Sequence, residues 1–147
     1  MRLVVALLLV LPGFSQSAEE KEVIAVVQKT FDGMAAHDEA MIRSTMLPDA
    51  RLFSIRDNGA PSAAIVAEDW LKRTAAAKGE LLERFTGKPS VSIRGRIAQL
   101  WGEYEFVRDG KFSHCGIDTV TLFKTAEGWK IASLAFTMET TGCKGRP

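Results

Sequence analysis

The stretch Tyr104-Glu105-Phe106-Val107-Arg108-Asp109-Gly110-Lys111-Phe112-Ser113-His114-Cys115-Gly116 decides the fold. Asp-Gly tolerates the positive φ angles of a type I′ turn, so Asp109-Gly110 joins two antiparallel strands with Arg108 facing Lys111. Counting outward from that pair places Glu105 opposite His114 and Trp101 opposite Asp118. A second hairpin follows, Ser113 to Lys124 with Trp129 to Thr140. With Thr125 facing Gly128, it places Glu139 opposite His114 and Ala135 opposite Asp118.

On the N-terminal side, a long strand is expected from Val91 to Val107 after Gly87-Lys88-Pro89, with Gly95 and Gly102 marking bulges or bends. A strand from Leu81 to Thr86 precedes it. Further back the period changes. Val23, Val26, Val27, Phe31 and Met34 recur at helical spacing from Glu19 to near Ala36. Asp38 caps a short helix carrying Met41, Ile42 and Met46, which Pro48 ends. Arg51 to Arg56 alternates as a strand, Asp57-Asn58-Gly59 turns it, and Ala63 to Val66 returns. A third helix runs from Glu68 to about Ala77 and closes at Gly79. Helices first and an antiparallel meander last make the class α+β.

The 147 residues make one domain, with 46% hydrophobic and 25% charged residues, a composition able to bury a core. Met1 to Ala18 stands apart: Arg2, an apolar run from Leu3 to Leu11, Pro12-Gly13, then small and polar residues up to a cut after Ser17 or Ala18. This is the layout of a secretory signal peptide, too short for a spanning helix, so residues 1–18 are expected to be a leader and 19–147 the mature domain. The expected location is periplasmic or secreted, with no membrane attachment after cleavage. Loss of Arg2 takes the formal charge from +1 to zero. Basic and acidic residues are interspersed, which disfavours nucleic acid as a partner.

In this register His114 lies between Glu105 and Glu139, whose charges would favour the imidazolium. Asp118 shares a strand with His114 but sits about 13 Å away, too far for a direct dyad. The face carrying Trp101, Glu103, Glu105, His114 and Asp118 is mixed, whereas Tyr104, Phe106, Leu134, Phe136 and Met138 share the other. A one-residue slip or a bulge exchanges these assignments. Two histidines without metal-ligand spacing argue against a metal site, and no phosphate-binding glycine loop or Gly-x-Ser-x-Gly elbow occurs; no cofactor is expected. Cys115 falls opposite Met138. A disulfide to Cys143 therefore requires the tail to fold back at Gly142, and this pairing stays open.

Gly95 to Trp101, Phe112 to Asp118 and Gly128 to Ala132 together resemble the nuclear transport factor 2-like superfamily, in particular its SnoaL-like and putative lumazine-binding members. The similarity runs from about Glu20 to Cys143. The resemblance implies a cone-shaped α+β barrel, with a curved antiparallel sheet wrapped around N-terminal helices and a pocket inside, often in a homodimer. It transmits no single reaction. Proton-moving relatives place Asp, His or Tyr inside the cone, which brings Tyr104 in beside His114 and Asp118. Three functions follow as expectations. The first is binding of a small molecule against Trp101, Tyr104, Glu105 and Glu139. The second is acid/base catalysis of isomerase, dehydratase or cyclase type by His114 and Asp118. The third is a non-catalytic homodimeric interaction module.

Overall fold

The computed structural model describes residues 17–56, 59 and 64–144. The expected leader up to Gln16, the turn at Asp57-Asn58 and Ala63 lie outside them.

Helix α1 (Ala18–Ala36) begins with a capping box. Ser17 Oγ accepts from the Glu20 amide at 3.1 Å, and the Glu20 carboxylate accepts from the Ser17 amide at 2.9 Å. The helix ends where His37 turns left-handed at φ 53°. The His37 ring then reaches the carbonyls of Thr74 (3.2 Å) and Gly79 (2.8 Å), tying this corner to the chain around the third helix. Asp38 caps α2 (Glu39–Arg43) as expected, accepting from the Met41 amide at 2.8 Å. That helix is shorter than the periodicity suggests. The Ser44 and Thr45 hydroxyls bond back to the carbonyls of Met41 and Ile42, and Met46 already belongs to strand β1 (Met46–Arg56). Pro48 falls where the β1 register shifts, between Met46 and Arg51.

After β2 (Ile65–Val66), helix α3 (Ala67–Ala75) leads to β3 (Leu81–Phe85). The single long strand expected from Val91 is in fact two, β4 (Ser90–Arg94) and β5 (Ile97–Arg108). Gly95 takes φ +57° and Arg94 pairs with Ile97, so Gly95-Arg96 is a two-residue hairpin turn instead of a bend. β6 (Lys111–Thr125) and β7 (Gly128–Met138) complete the chain. The curved, unclosed sheet has the order β2-β1-β7-β6-β5-β3, with β4 also on β5. It is antiparallel except for β1 and β7, which run parallel. Val23, Val27, Phe31 and Met34 of α1 pack into the concave face with Leu52, Leu100, Val120, Leu122 and Ile131. None of the described helices is long and apolar enough to cross a membrane.

Both expected turn pairs are present: Arg108 with Lys111, across Asp109-Gly110 at φ 52° and 71°, and Thr125 with Gly128. Each hairpin then contains one bulge. Ser113 is extra between the pairs Val107–Phe112 and Phe106–His114, and Ala132 is extra between Leu122–Ile131 and Thr121–Ser133. The β6–β7 ladder also opens beside Gly116. A Cβ there would lie 2.2 Å from the Thr137 carbonyl oxygen. The Ile117 amide donates to Thr137 Oγ1 (2.9 Å), and the Thr137 carbonyl accepts the Tyr104 hydroxyl (2.6 Å). Pairing resumes at Cys115–Glu139, and Gly142 at φ +74° brings the tail back so that Cys143 is disulfide-bonded to Cys115.

Gly116→Ala should therefore cost about 1–3 kcal/mol in urea unfolding. Gly87→Ala, where an added Cβ meets nothing within 4 Å, should stay within about 0.5 kcal/mol of the parent.

Candidate functional site

The two bulges rephase the sheet. On β5 and β6 the even-numbered residues point into the cone, and beyond Ala132 the same holds on β7. His114 and Asp118 therefore share the interior with Tyr104, Phe106, Leu134 and Phe136, not with Trp101 and Glu103. Between the concave sheet, α1 and α3 lies a cavity of about 480 Å³. Its walls are apolar and aromatic, with Phe31, Met34, Trp70, Leu134, Phe136 and Met138 among them, and its polar lining includes Ser54, Glu83, Tyr104, Ser113 and His114. A pocket of this size, mostly apolar with a few convergent polar groups, suits a small organic ligand.

The expected placement of His114 between two carboxylates is overturned. Because Ser113 is extra, Glu105 faces Cys115, and Glu139 bridges to Cys115 from the other side. The two acids flank the disulfide on the face of the sheet away from the cavity, where they line a small cleft of about 150 Å³, Glu105 being buried there. Arg84 pairs with Glu105 (Nε to Oε1, 2.7 Å), and Glu139 accepts from the Thr137 hydroxyl at 2.8 Å. Neither lines the cavity. Trp101 is also outside, 55% exposed and opposite Thr119, so it is no stacking wall. The face of Gly102, not Trp101, meets Asp118, and Phe136, not Ala135, lies on its other side.

His114 keeps only 8% of its surface and stacks on Phe106 with ring centroids 5.0 Å apart. Tyr104 meets it edge-on at 5.8 Å. Its Nδ1 lies 3.0 Å from Ser113 Oγ, so the bulge residue orients the ring. Burial holds the His114 pKa below its usual value, and the Arg56 guanidinium pushes the same way. The ring is neutral at pH 7, the reverse of the imidazolium expected from the flanking acids.

Glu83 is the residue that sequence reasoning missed. It lies on β3 between Leu81 and Phe85, on the phase of the strand that faces the core, and a charge in that phase was the available signal. Glu83 borders the cavity, and its carboxyl meets that of Asp118, which is fully buried behind it. Neither Asp118 oxygen has an N–H or hydroxyl donor among the described residues. Two carboxyl groups in contact with no other donor satisfy each other only by holding a proton between them. Burial raises the pKa of both, Glu83 well above the carboxylate range and Asp118 to about 7. For Asp118 burial is the larger influence, and the contact with Glu83 opposes it. Tyr104 is held in its neutral form by burial and by these nearby acids. The cavity thus holds a carboxylic acid, a neutral imidazole and a phenol already engaged with Thr137.

The acid pair makes a stability statement. Between the ordinary aspartate range near 3.8 and about 7, the folded chain keeps a proton that the unfolded chain has released, so this pair loses stability as pH rises through that window. His114, lowered, acts in the opposite sense below its usual 6.5. Asp118→Asn should therefore gain thermal stability relative to the parent as pH rises from 4 to 8, by several degrees, in paired melting curves. A pH-independent difference would exclude the shared proton.

The family described as "Putative lumazine-binding" matches residues 18–137. No curated protein matches the chain. Among solved structures, a nuclear transport factor 2-like protein with a cystatin-like fold from Novosphingobium aromaticivorans superposes with a TM-score of 0.67 at 12% identity, covering 86% of this chain and 84% of that one. A nuclear transport factor 2-like superfamily protein from Salmonella enterica gives 0.65 at 14% identity, with 86% and 95% covered. A structure from Streptomyces avermitilis, described as a putative dehydratase of the same superfamily, gives 0.65 at 16%, with 80% and 94% covered. At these identities the likeness shows the fold. With the family match across residues 18–137, the chain belongs to the Putative lumazine-binding family of the nuclear transport factor 2-like superfamily.

Proposed function

We propose that the protein binds a small, largely apolar molecule in the cavity, with His114 and the Glu83 carboxyl as its polar contacts. The observation that carries this reading is the apolar cavity with a neutral imidazole and a protonated acid on its wall. Uncharged donors and acceptors in an apolar lining suit a ligand carbonyl or hydroxyl, because neither side gives up the solvation of a charge on binding. Export is part of the proposal. The leader layout of residues 1–18 and the Cys115–Cys143 disulfide both support an oxidising compartment. Cleavage after Ser17 or Ala18 would remove the Ser17 cap of α1, a loss of about 1 kcal/mol.

The neutral fluorophore N-phenyl-1-naphthylamine should bind with enhanced emission. Ala77→Trp, which fills part of the lining, should weaken it by about tenfold or more without lowering the melting temperature. Unchanged binding in that variant would place the probe elsewhere and remove the cavity reading. Native mass spectrometry of the exported chain reports any retained small molecule.

The buried acid pair favours a second reading, acid/base catalysis next to a carbonyl, with Glu83 as acid, Asp118 holding its proton in place and His114 as base. A chain that keeps two carboxyls together inside its core carries a stability cost that catalysis would repay. If this holds, a ligand recovered from the protein acquires deuterium next to its carbonyl in heavy water, and Glu83→Gln stops the exchange.

The outer face of the sheet supports homodimerisation. Trp101, Thr119, Ala135 and Phe53 form one row across β5, β6, β7 and β1, with Ile55, Ile97 and Phe123 also exposed. Light scattering should report a dimer that Trp101→Glu converts to a monomer; a monomeric parent removes the proposal.

A further inference from the structure

Three arginines border the cavity, each from a different element. Arg56 ends β1, Arg73 lies on α3 and Arg108 ends β5. All three are solvent-exposed, so they mark the mouth, while His114 and Glu83 mark the interior. None is in an ion pair among the described residues. Arg73 Nε donates to the backbone carbonyl of Asp69 at 3.2 Å, which leaves its charge uncompensated. Among the described residues the only carboxyl in the lining is Glu83, whose carboxyl is in contact with that of Asp118. The mouth is therefore cationic and has no matching anion in the wall.

The positive field reaches inward, since Arg56 is one of the two influences on the His114 ring. Surface arginines usually sit beside acids; three guanidinium groups around one apolar opening, with no ion-pair partner among the described residues, favour an anion arriving from solution. A guanidinium also presents a planar fork that matches a carboxylate with two parallel hydrogen bonds.

We propose that the cavity selects an apolar or aromatic organic monoanion, whose acidic head group lies among Arg56, Arg73 and Arg108 while its uncharged end reaches His114 and Glu83. This rests on the cavity being the binding site, and adds to it the charge class and the orientation of the ligand. A carboxylate fits best, and a sulfonate shares the same chemistry. A neutral apolar ligand would leave the three arginines without a role.

Two dyes with the same ring system and different charge test this. 8-Anilinonaphthalene-1-sulfonate carries the anion, and N-phenyl-1-naphthylamine lacks it. The sulfonate should bind the full mature chain more tightly, and its affinity should fall with added salt while that of the neutral dye does not. Arg56→Gln with Arg108→Gln should weaken the sulfonate about tenfold and leave the neutral dye unchanged; Arg56→Lys with Arg108→Lys should recover part of the loss. Trp101→Ala, on the outer face, should change neither.

Equal affinity for the two dyes, or equal loss of both in the glutamine variant, overturns anion selection and leaves the cavity reading standing. Insensitivity of both dyes to Ala77→Trp overturns the cavity reading and this proposal with it. Because the arginines are exposed, melting temperatures should match the parent, which separates a binding role from a structural one.

Discussion

The register of β6 against its two neighbours governs the rest of the molecule. β6 is hydrogen-bonded along both edges, so its phase decides which residues of the chain's longest strand enter the cone. Two single-residue bulges set that phase, Ser113 on one side and Ala132 on the other. Without them His114 and Asp118 would lie with Trp101 on the solvent side, and neither would face the interior of the cone. A bulge is a small backbone irregularity, but a strand has a side-chain period of two, so one extra residue inverts a whole face.

This also explains which parts were legible from the chain alone. Strand and helix periods depend on near neighbours, and the helices and the Asp109-Gly110 hairpin followed from them, whereas the expected single strand from Val91 to Val107 is two strands joined by the Gly95-Arg96 turn. The turn pairs Arg108–Lys111 and Thr125–Gly128 followed from glycine and turn chemistry. What lay a few residues beyond each turn did not follow, because neither Ser113 nor Ala132 advertises a bulge in its side chain. The assignments of Glu105, Glu139 and Trp101 to the pocket failed for that reason. Tyr104, His114 and Asp118 do meet inside the cone, in surroundings other than those counted. Glu83 was missed because a partner for Asp118 was sought on the adjacent strands of the meander, whereas it comes from β3, beyond β5.

The interior chemistry is tuned by removal of water more than by neighbouring charges. Burial favours neutral forms, and it acts in opposite directions on an acid and on an imidazole. The same dry cavity therefore keeps Glu83 protonated and His114 unprotonated, a combination that bulk water would reverse at mildly acidic pH. α1 packs its apolar face against the sheet, and the buried acid pair and the imidazole all come from strands.

The sheet does not close on itself, and three of its border strands are short. β2 has two residues, and β3 and β4 have five each. Unpaired backbone along a long, flat border invites another chain to add a strand and begin a fibrillar stack. Here the long strands β5, β6 and β7 lie inside the sheet with both edges occupied, whereas β1 pairs with β2 only at Arg51 and Leu52. The three strands that form the middle of the concave sheet therefore offer a neighbouring chain no template for aggregation.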